Sequence, residues 1–531
     1  MKNLLLAYSL IVSFLLSIGQ NTVGLIQNSG QPSEGLTLFA PSSNGKVFLI
    51  DECGYLVHSW EFNEDPGLSC YLLPNGNLLR AGKDSLQIRD WDNNVVWTYP
   101  TTANNIPQHH DIEPLPNGNV LCIVADKYTQ AEMTQEGRDP SITNANFKLD
   151  KIVEIQPVGT NQANIVWEWK FKDHLIQDFD AGKNNFGVVI DHPELLDINY
   201  NNLYFNDYIH LNAVEYNENL DQIMISSRHL NELFIIDHST TTMEAASHSG
   251  GNSNMGGDFL WRWGNPQVYR QGDSSNQMLW TQHDCRWIPN GYPEGGKISV
   301  FNNNGDAAGA YSSLHILDPV LTGGVYQKTN NRFDPQSYDW SWSGVVSGAT
   351  MYESIKGALQ VLPNGNKLIV QNSISQMAEI DAGGNVIWVY ANPEGSSLLN
   401  QGDMINGQSN TFFRADRYSS SYAGFSGKDL TPIGLIEDVN QLSVNCASVA
   451  GIAETNLNEI QVVNPVINNF IEFVESQKLD QVSIYTLEGK EILTEKNFVG
   501  KRFLLSNIHS GIYFVRLNKA NQTDVIKIIV E

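Results

Sequence analysis

The chain has 531 residues, 58 acidic against 32 basic, and a formal net charge of −26. That balance argues against partners whose phosphates need clustered Lys and Arg, namely nucleic acid and anionic lipid surfaces. With 41 % apolar residues there is material for a packed core, and 43 glycines and 12 tryptophans suit many short strands joined by tight turns.

Taken in chain order, Lys2, the apolar run Leu4 to Leu16 and the small residues Ser17-Ile18-Gly19 read as a signal peptide over residues 1–19. The run is short for a membrane span, and no later segment reaches about 18 consecutive apolar residues, so no transmembrane helix is expected. The cysteines are Cys53, Cys70, Cys122, Cys285 and Cys446, an odd and sparse set whose spacing does not suggest zinc. Export permits disulfides, and Cys53 and Cys70 could pair if their strands are neighbours.

Residues 20–435 carry an internal repeat: an Asn-Gly turn, a strand, an acidic or Gly-rich second turn, and a strand ending in Trp-x-aromatic. Asn75-Gly76 leads to Trp97-Thr98-Tyr99, Asn117-Gly118 to Trp167-Glu168-Trp169, and Asn364-Gly365 to Trp388-Val389-Tyr390. Weaker copies run from Asn44-Gly45 to Trp60, from Asn217 to Trp261 and from Asn290-Gly291 to Trp340. Asn-Gly supplies the positive φ angles of a two-residue hairpin, and each Trp gives its unit an apolar anchor against a neighbour. Six units of about four strands predict an all-β chain built as a six-bladed β-propeller. The stretch Phe171 to Asp207 is the longest insertion, and its polar, His-bearing character fits a surface excursion or a lid. Residues 436–461 read as a linker without the repeat. Residues 462–531 alternate over short strands and predict a small C-terminal β-sandwich.

Three histidines occupy related places in this repeat. His110 and His283 stand seven residues before the turn asparagines Asn117 and Asn290, and His210 stands at a matching offset. Equivalent positions in different blades face one end of the central axis, so these rings are expected to converge. Converging imidazoles serve as nucleophile, general acid or electrostatic clamp, or as metal ligands. His109 adjoins the first, Asp111 and Asp284 are placed to orient imidazoles, and Arg228 offers a forked donor set suited to a tetrahedral anion. Asn212 and Asn304 place amide donors near the axis. No Walker loop, dinucleotide fingerprint, zincin helix or Gly-x-Ser-x-Gly elbow occurs.

From Gly35 to Asn392 the chain resembles the bacterial arylsulfotransferases that need no nucleotide donor. The segments carrying the resemblance are His109-His110-Asp111, Asp173-His174-Leu175-Ile176-Gln177-Asp178, His192-Pro193-Glu194-Leu195, His210-Leu211-Asn212, Ser226-Ser227-Arg228, Gln282-His283-Asp284 and the Leu-Pro-Asn-Gly-Asn repeats. The resemblance implies a six-bladed propeller that transfers a sulfuryl group from an aryl sulfate to a phenol through a sulfated histidine. His110, His210 and His283 are then the catalytic candidates. His109, Arg228, Asn212 and Asn304 are the substrate-binding candidates, and no cofactor or metal is expected. One departure stands out: the family's nucleophile belongs in a late blade, where this chain has Ser354-Ile355-Lys356-Gly357-Ala358 and no His. Residues 462–531 resemble the sorting domain of type IX secretion through Asn464-Pro465, the run Tyr485 to Lys490, Gly511-Ile512-Tyr513 and Lys527-Ile528-Ile529. That implies delivery outside the cell through an outer-membrane secretion machinery. A non-enzymatic propeller that binds a ligand on the same face is the alternative.

Overall fold

The structure, a computed structural model, describes residues 22–200, 206–405, 409–437, 470–486, 490–505, 508–509, 511–519 and 522–530. The expected leader, most of the expected linker, Asn464-Pro465 and Glu488-Gly489 lie outside the described residues. The chain divides into two compact units, 1–446 and 447–531. No described helix is long and apolar enough to cross a membrane.

The first unit is a β-propeller. Its described residues form six antiparallel sheets of four or five strands, with four two-stranded pieces between them. One edge strand of each sheet lies against its counterpart in the next. Pro66–Leu72 meets Gln108–Pro114, followed by Leu211–Asn217, His283–Trp287, Ala358–Val361 and Phe412–Tyr418, which returns to Pro66–Leu72. These six inner strands surround the axis. Apolar clusters fill the wedges between sheets rather than one centre. Leu121, Ile123 and Trp169 of one sheet pack on Leu211, Ile225 and Phe234 of the next, for example. Such wedges allow a ring to grow by repetition.

The repeat tryptophans do more than fill wedges. In each unit one indole N–H donates to a backbone carbonyl or a hydroxyl in the following unit, and in the fifth it is that of Trp342 rather than Trp340. Trp60 reaches Asp90 O at 2.9 Å, Trp97 reaches Gln162 O at 2.8 Å and Trp167 reaches Thr240 Oγ1 at 3.2 Å. Trp261 reaches Asp334 O at 2.8 Å, Trp342 reaches Gly384 O at 3.1 Å, and Trp388 returns to Glu52 O of the first sheet at 2.7 Å. These latches run one way around the ring. The ring is also closed by two chain segments. Phe412–Tyr418 pairs with Leu36–Pro41 to complete the first sheet, and Gly24–Asn28 pairs with Val386–Ala391 on the last.

Three expectations need correction. The Leu-Pro-Asn-Gly-Asn turns are three-residue loops, not two-residue hairpins. Leu73 N–H donates to Asn77 O at 2.8 Å and Gly76 N–H to Leu73 O at 2.8 Å, and only Gly76 of this turn has positive φ, +83°. Pro74 holds the preceding residues in a type I turn, so the glycine alone takes the left-handed position. Asn44-Gly45 is not equivalent to the other turns, because it joins the second and third strands of a sheet whose inner strand arrives from residues 412–418. Cys53 does not pair with Cys70: Cys53 is disulfide-bonded, whereas Cys70, Cys122 and Cys285 are free, buried thiols.

The described part of the insertion is tied down by hydrogen bonds and ion pairs. Arg262 N–H donates to Leu195 O at 2.9 Å, Arg270 pairs with Asp178 and with Asp197, and Gln177 ties residues 179–184 together. The second unit is described as one antiparallel sheet, in the order Glu491–Leu504, Phe470–Tyr485, Gly511–Lys519, Gln522–Val530. Ile471, Phe473, Val482, Phe498 and Val515 are among its buried core.

Candidate active site on the propeller axis

The inner strands begin irregularly, and that irregularity places the histidines. Register breaks fall at the start of the strands Gln108–Pro114, Leu211–Asn217 and His283–Trp287. His110 at φ +58°, His210 at φ +52° and Asp284 at φ +49° occupy the left-handed region, which non-glycine residues rarely adopt. Such backbone is retained where the surroundings over-determine it, and it concentrates at sites.

His110 and His210 meet edge to face, their centroids 4.9 Å apart, and His210 lies 4.5 Å from His229. His283 is close enough that its charge, with those of His109 and His210, opposes protonation of His110. The structure thus brings His109, His110, His210, His283 and Arg228 together at one end of the axis.

Each ring has a partner that fixes its proton. Asp150 is buried; its Oδ2 accepts from Leu211 N–H at 2.7 Å and its Oδ1 lies 3.1 Å from His109 Nε2. Burial alone would raise that carboxyl, but His109 and Lys148 overcome it and hold it below the usual range. His109 Nε2 therefore carries its hydrogen toward Asp150. His109 Nδ1 and His110 Nδ1 are 2.7 Å apart, so with both rings neutral one hydrogen bridges them. The remaining nitrogen of His110, Nε2, keeps its lone pair. His210 Nδ1 donates to Asp207 Oδ2 at 2.7 Å, His229 Nδ1 to Asp207 O at 2.6 Å and His283 Nδ1 to Asn303 Oδ1 at 2.7 Å. His283 Nε2 accepts from the backbone N–H of Lys356 at 3.3 Å.

Burial, reinforced by neighbouring imidazoles, pushes His110 well below the ordinary histidine range. Burial, with Arg228 and His210 adding to it, lowers His283 to about 3. His229 is lowered to about 4, again chiefly by burial. The fixed positive charges are Lys148, 3.1 Å from Asp207, and Arg228, whose Nη1 lies 3.1 Å from His229 Nε2. Arg228 Nε is buried with no hydrogen-bond partner, an orphan donor beside His229 and His283. Asp207, His210 and His229 also satisfy the spacing of a metal site. There, however, the Arg228 guanidinium already holds the His229 lone pair, and a guanidinium beside a lone pair favours an anion over a metal cation.

Asn212 and Asn304 sit differently from the rings. Asn212 is fully buried and donates to Gln282 O at 2.7 Å, joining two inner strands. Asn304 donates to Thr281 Oγ1 at 3.0 Å, and it is Asn303 that touches His283. Asp111 and Asp284 do not orient imidazoles, contrary to expectation. They point along the axis to Arg414 of the closing strand, which reaches Asp111 at 2.8 and 3.0 Å and Asp284 at 2.8 Å. Arg286 joins the layer through Asp284 and Asp416. Asp150 and Asp207 take the orienting role instead.

Beyond this ionic layer, at the far ends of the inner strands, a cavity of about 710 Å³ opens among Tyr71, Glu113, Glu215, Trp287 and Tyr418. Burial raises both Glu113 and Glu215, with the charge of Glu215 adding to the first and those of Asp284 and Asp111 adding to the second, which reaches about 8.

Residues 27–378, two thirds of the sequence, match the arylsulfotransferase (ASST) family. The chain belongs to the arylsulfotransferase family. Residues 464–531 match the secretion system C-terminal sorting domain, which marks a secreted or cell-surface protein. No curated protein matches the chain. Among solved structures, a protein of unknown function from Bacteroides caccae is similar at 12 % identity, with 67 % of this chain and 94 % of that one covered and a TM-score of 0.38. A streptogramin B lyase is similar at 10 % identity, with 71 % and 85 % covered and a TM-score of 0.32. The propeller domain of Myceliophteria thermophila Cps50 (Swd1) is similar at 10 %, with 69 % and 89 % covered and a TM-score of 0.35. Likenesses this distant say nothing of function. The family match stops at residue 378 and so excludes the closing strand Phe412–Tyr418, which supplies Arg414.

Proposed function

We propose that the axial cluster transfers a sulfuryl group from an aryl sulfate to a phenol, with His110 as the nucleophile in place of the absent late-blade histidine. The observation that carries this is the Asp150–His109–His110 chain, which leaves His110 Nε2 as a lone pair on a ring kept neutral by burial. A nucleophile oriented by a second group, itself oriented by a third, is the general arrangement of activated side chains. Nε2 attacks sulfur, the sulfur–oxygen bond to the aryl group breaks, and phenolate leaves with the electron pair. The acceptor oxygen then attacks sulfur, the sulfur–nitrogen bond breaks, and the pair returns to Nε2. The acceptor's proton passes to His210, whose Nδ1 is committed to Asp207. Arg228, whose Nε–H has no partner, holds the sulfuryl oxygens, His283 joins it only once its Nε2 takes up a proton, and the proposed reaction calls for no cofactor.

We also read the six sheets as six blades and the C-terminal sheet as folding over into a small sandwich that addresses the chain to the outer-membrane secretion machinery. A second reading, a ligand-binding propeller without turnover, is favoured by one observation. Where the family's nucleophile belongs, Lys356 offers its backbone N–H to His283 and its amine is lowered by burial. The test is to incubate the protein with 4-nitrophenyl sulfate alone and map added sulfate by mass spectrometry, then add phenol and follow nitrophenolate. The proposal expects modification at His110 and turnover that His110→Asn abolishes. Binding of sulfate with neither modification nor turnover selects the second reading.

A further inference from the structure

Away from the axis, the start of the long insertion meets a glycine-rich loop. His174 ends the turn Phe171–His174, is 0 % exposed, and stacks on Trp169 with centroids 5.4 Å apart and planes at 5°. Its Nε2 faces the carbonyl oxygen of Ala245 at 2.8 Å. A carbonyl only accepts, so Nε2 carries the hydrogen and the neutral ring keeps its lone pair on Nδ1. That lone pair faces Asp258 Oδ1 at 2.8 Å, and His248 Nδ1 lies 2.8 Å from the same oxygen. The three ligand atoms are all within 4.8 Å of one another.

An acceptor facing an acceptor needs a positive centre between them. His248 meets this by choosing its tautomer. His174 has its one hydrogen committed to Ala245, so it meets it only with a further proton or a metal ion held between Nδ1 and Asp258 Oδ1. Holding the far nitrogen of a ligand histidine on a backbone carbonyl is how metal sites orient imidazoles. The site is also shaped for close approach. A Cβ on Gly257 would come within 2.6 Å of His174 Nε2 and 2.1 Å of Ala245 O, so only glycine lets the loop lie there. The Gly257 carbonyl accepts from Trp169 Nε1 at 2.7 Å, and Asp258 follows it.

We propose that His174, His248 and Asp258 form a transition-metal site of the zinc class, with its fourth position open to solvent. Two imidazoles and one carboxylate in a tetrahedral arrangement suit Zn²⁺. Ligand atoms sharing such an ion stand about 3.3 Å apart, so on binding Asp258 draws back from the ring of His174 and His248 moves outward. Its side chain is 61 % exposed and its loop carries Gly250, Gly251, Gly256 and Gly257, so it is free to do so. The ion would clip this loop to the base of the insertion. It differs from the axial cluster, where Arg228 competes for the ligand.

The test uses the full chain, stripped with EDTA and titrated with Zn²⁺ and separately with Co²⁺. Wild type is expected to take up one equivalent at this site, with the intense visible bands of four-coordinate Co²⁺, and its Tm is expected to rise with zinc concentration. His248→Ala, on an exposed side chain, should keep its Tm in EDTA and lose both responses. Asp258→Asn should lower affinity at least tenfold, and His229→Ala on the axis should change neither response. Wild type that binds no zinc at micromolar concentration overturns the proposal. So does a His248→Ala protein that binds as wild type does, or one that loses Tm equally with and without zinc.

Discussion

Four of the five axial imidazoles, His110, His210, His229 and His283, have Nδ1 committed to a neighbour, so each presents a lone pair at Nε2 when neutral. An arriving sulfate needs hydrogens, not lone pairs. It therefore raises the affinity of these rings for protons, and binding takes protons up. With His283 lowered to about 3 by burial, sulfate affinity should rise as pH falls from 8 to 5, and calorimetry in buffers of different ionisation enthalpy should register the uptake. A flat profile would mean that Arg228 and Lys148 alone hold the anion. Glu215 is shifted the other way. Its folded value of about 8 stands above the ordinary carboxyl value, so its protonation supports the fold fully below about pH 4.5, and that support is lost as pH rises through 8. Glu215→Gln should flatten the alkaline limb of a Tm-against-pH curve and leave the acid limb unchanged. The convergence of the three axial histidines was legible because each stands at a matching place in the repeat, and Arg228 stood out only by its forked donor set. Lys148, Asp150 and Asn303 were not. They reach the rings from outer strands and loops, and no spacing in the chain marks them.

The inner strand is the element that carries the site. Its first residues break register to aim a side chain at the axis, and its next residues build the ionic layer beneath. Arg414 joins Asp111 and Asp284 from two other inner strands, with side-chain exposures of 6 %, 0 % and 1 %. Removing one member of a buried ionic group leaves charges unpaired and costs about 3–5 kcal/mol. Arg414→Met should therefore lower stability by that order in urea denaturation, and adding Asp111→Asn and Asp284→Asn should recover part of the loss. The indole latches are weaker elements. Trp388→Phe keeps most of the apolar area and removes one hydrogen bond, so about 1 kcal/mol is expected from the same measurement. The turns and tryptophans announced themselves in the sequence through composition. The closing strand Phe412–Tyr418 did not, because it carries no Asn-Gly turn of its own and its partner strands lie at the other end of the unit. Without it, Asp111 and Asp284 read naturally, and wrongly, as companions of the histidines.

At the scale of the whole molecule the chain is two compact units with separate cores. A protein ending at residue 446 should therefore keep the Tm of the first unit while losing delivery to the cell exterior; normal export of the shortened chain would remove the sorting role. The closure of the ring has a further bearing on how the molecule comes into being. As the chain emerges, the sheets can stack in order from residue 66 to residue 391, yet the first sheet lacks its axial strand throughout. Asp111 and Asp284 face an empty centre until residues 412–418 arrive. Asp284 has Arg286 of its own strand, but Asp111 lacks its Arg414 partner in every shorter chain, and Phe413 is not yet against His110, which it meets at 6.2 Å between ring centroids. Synthesis thus runs almost the full length of the propeller before the axis can dehydrate. A nascent or clipped chain stays open at the place where the imidazoles gather, and only a finished one encloses their cluster.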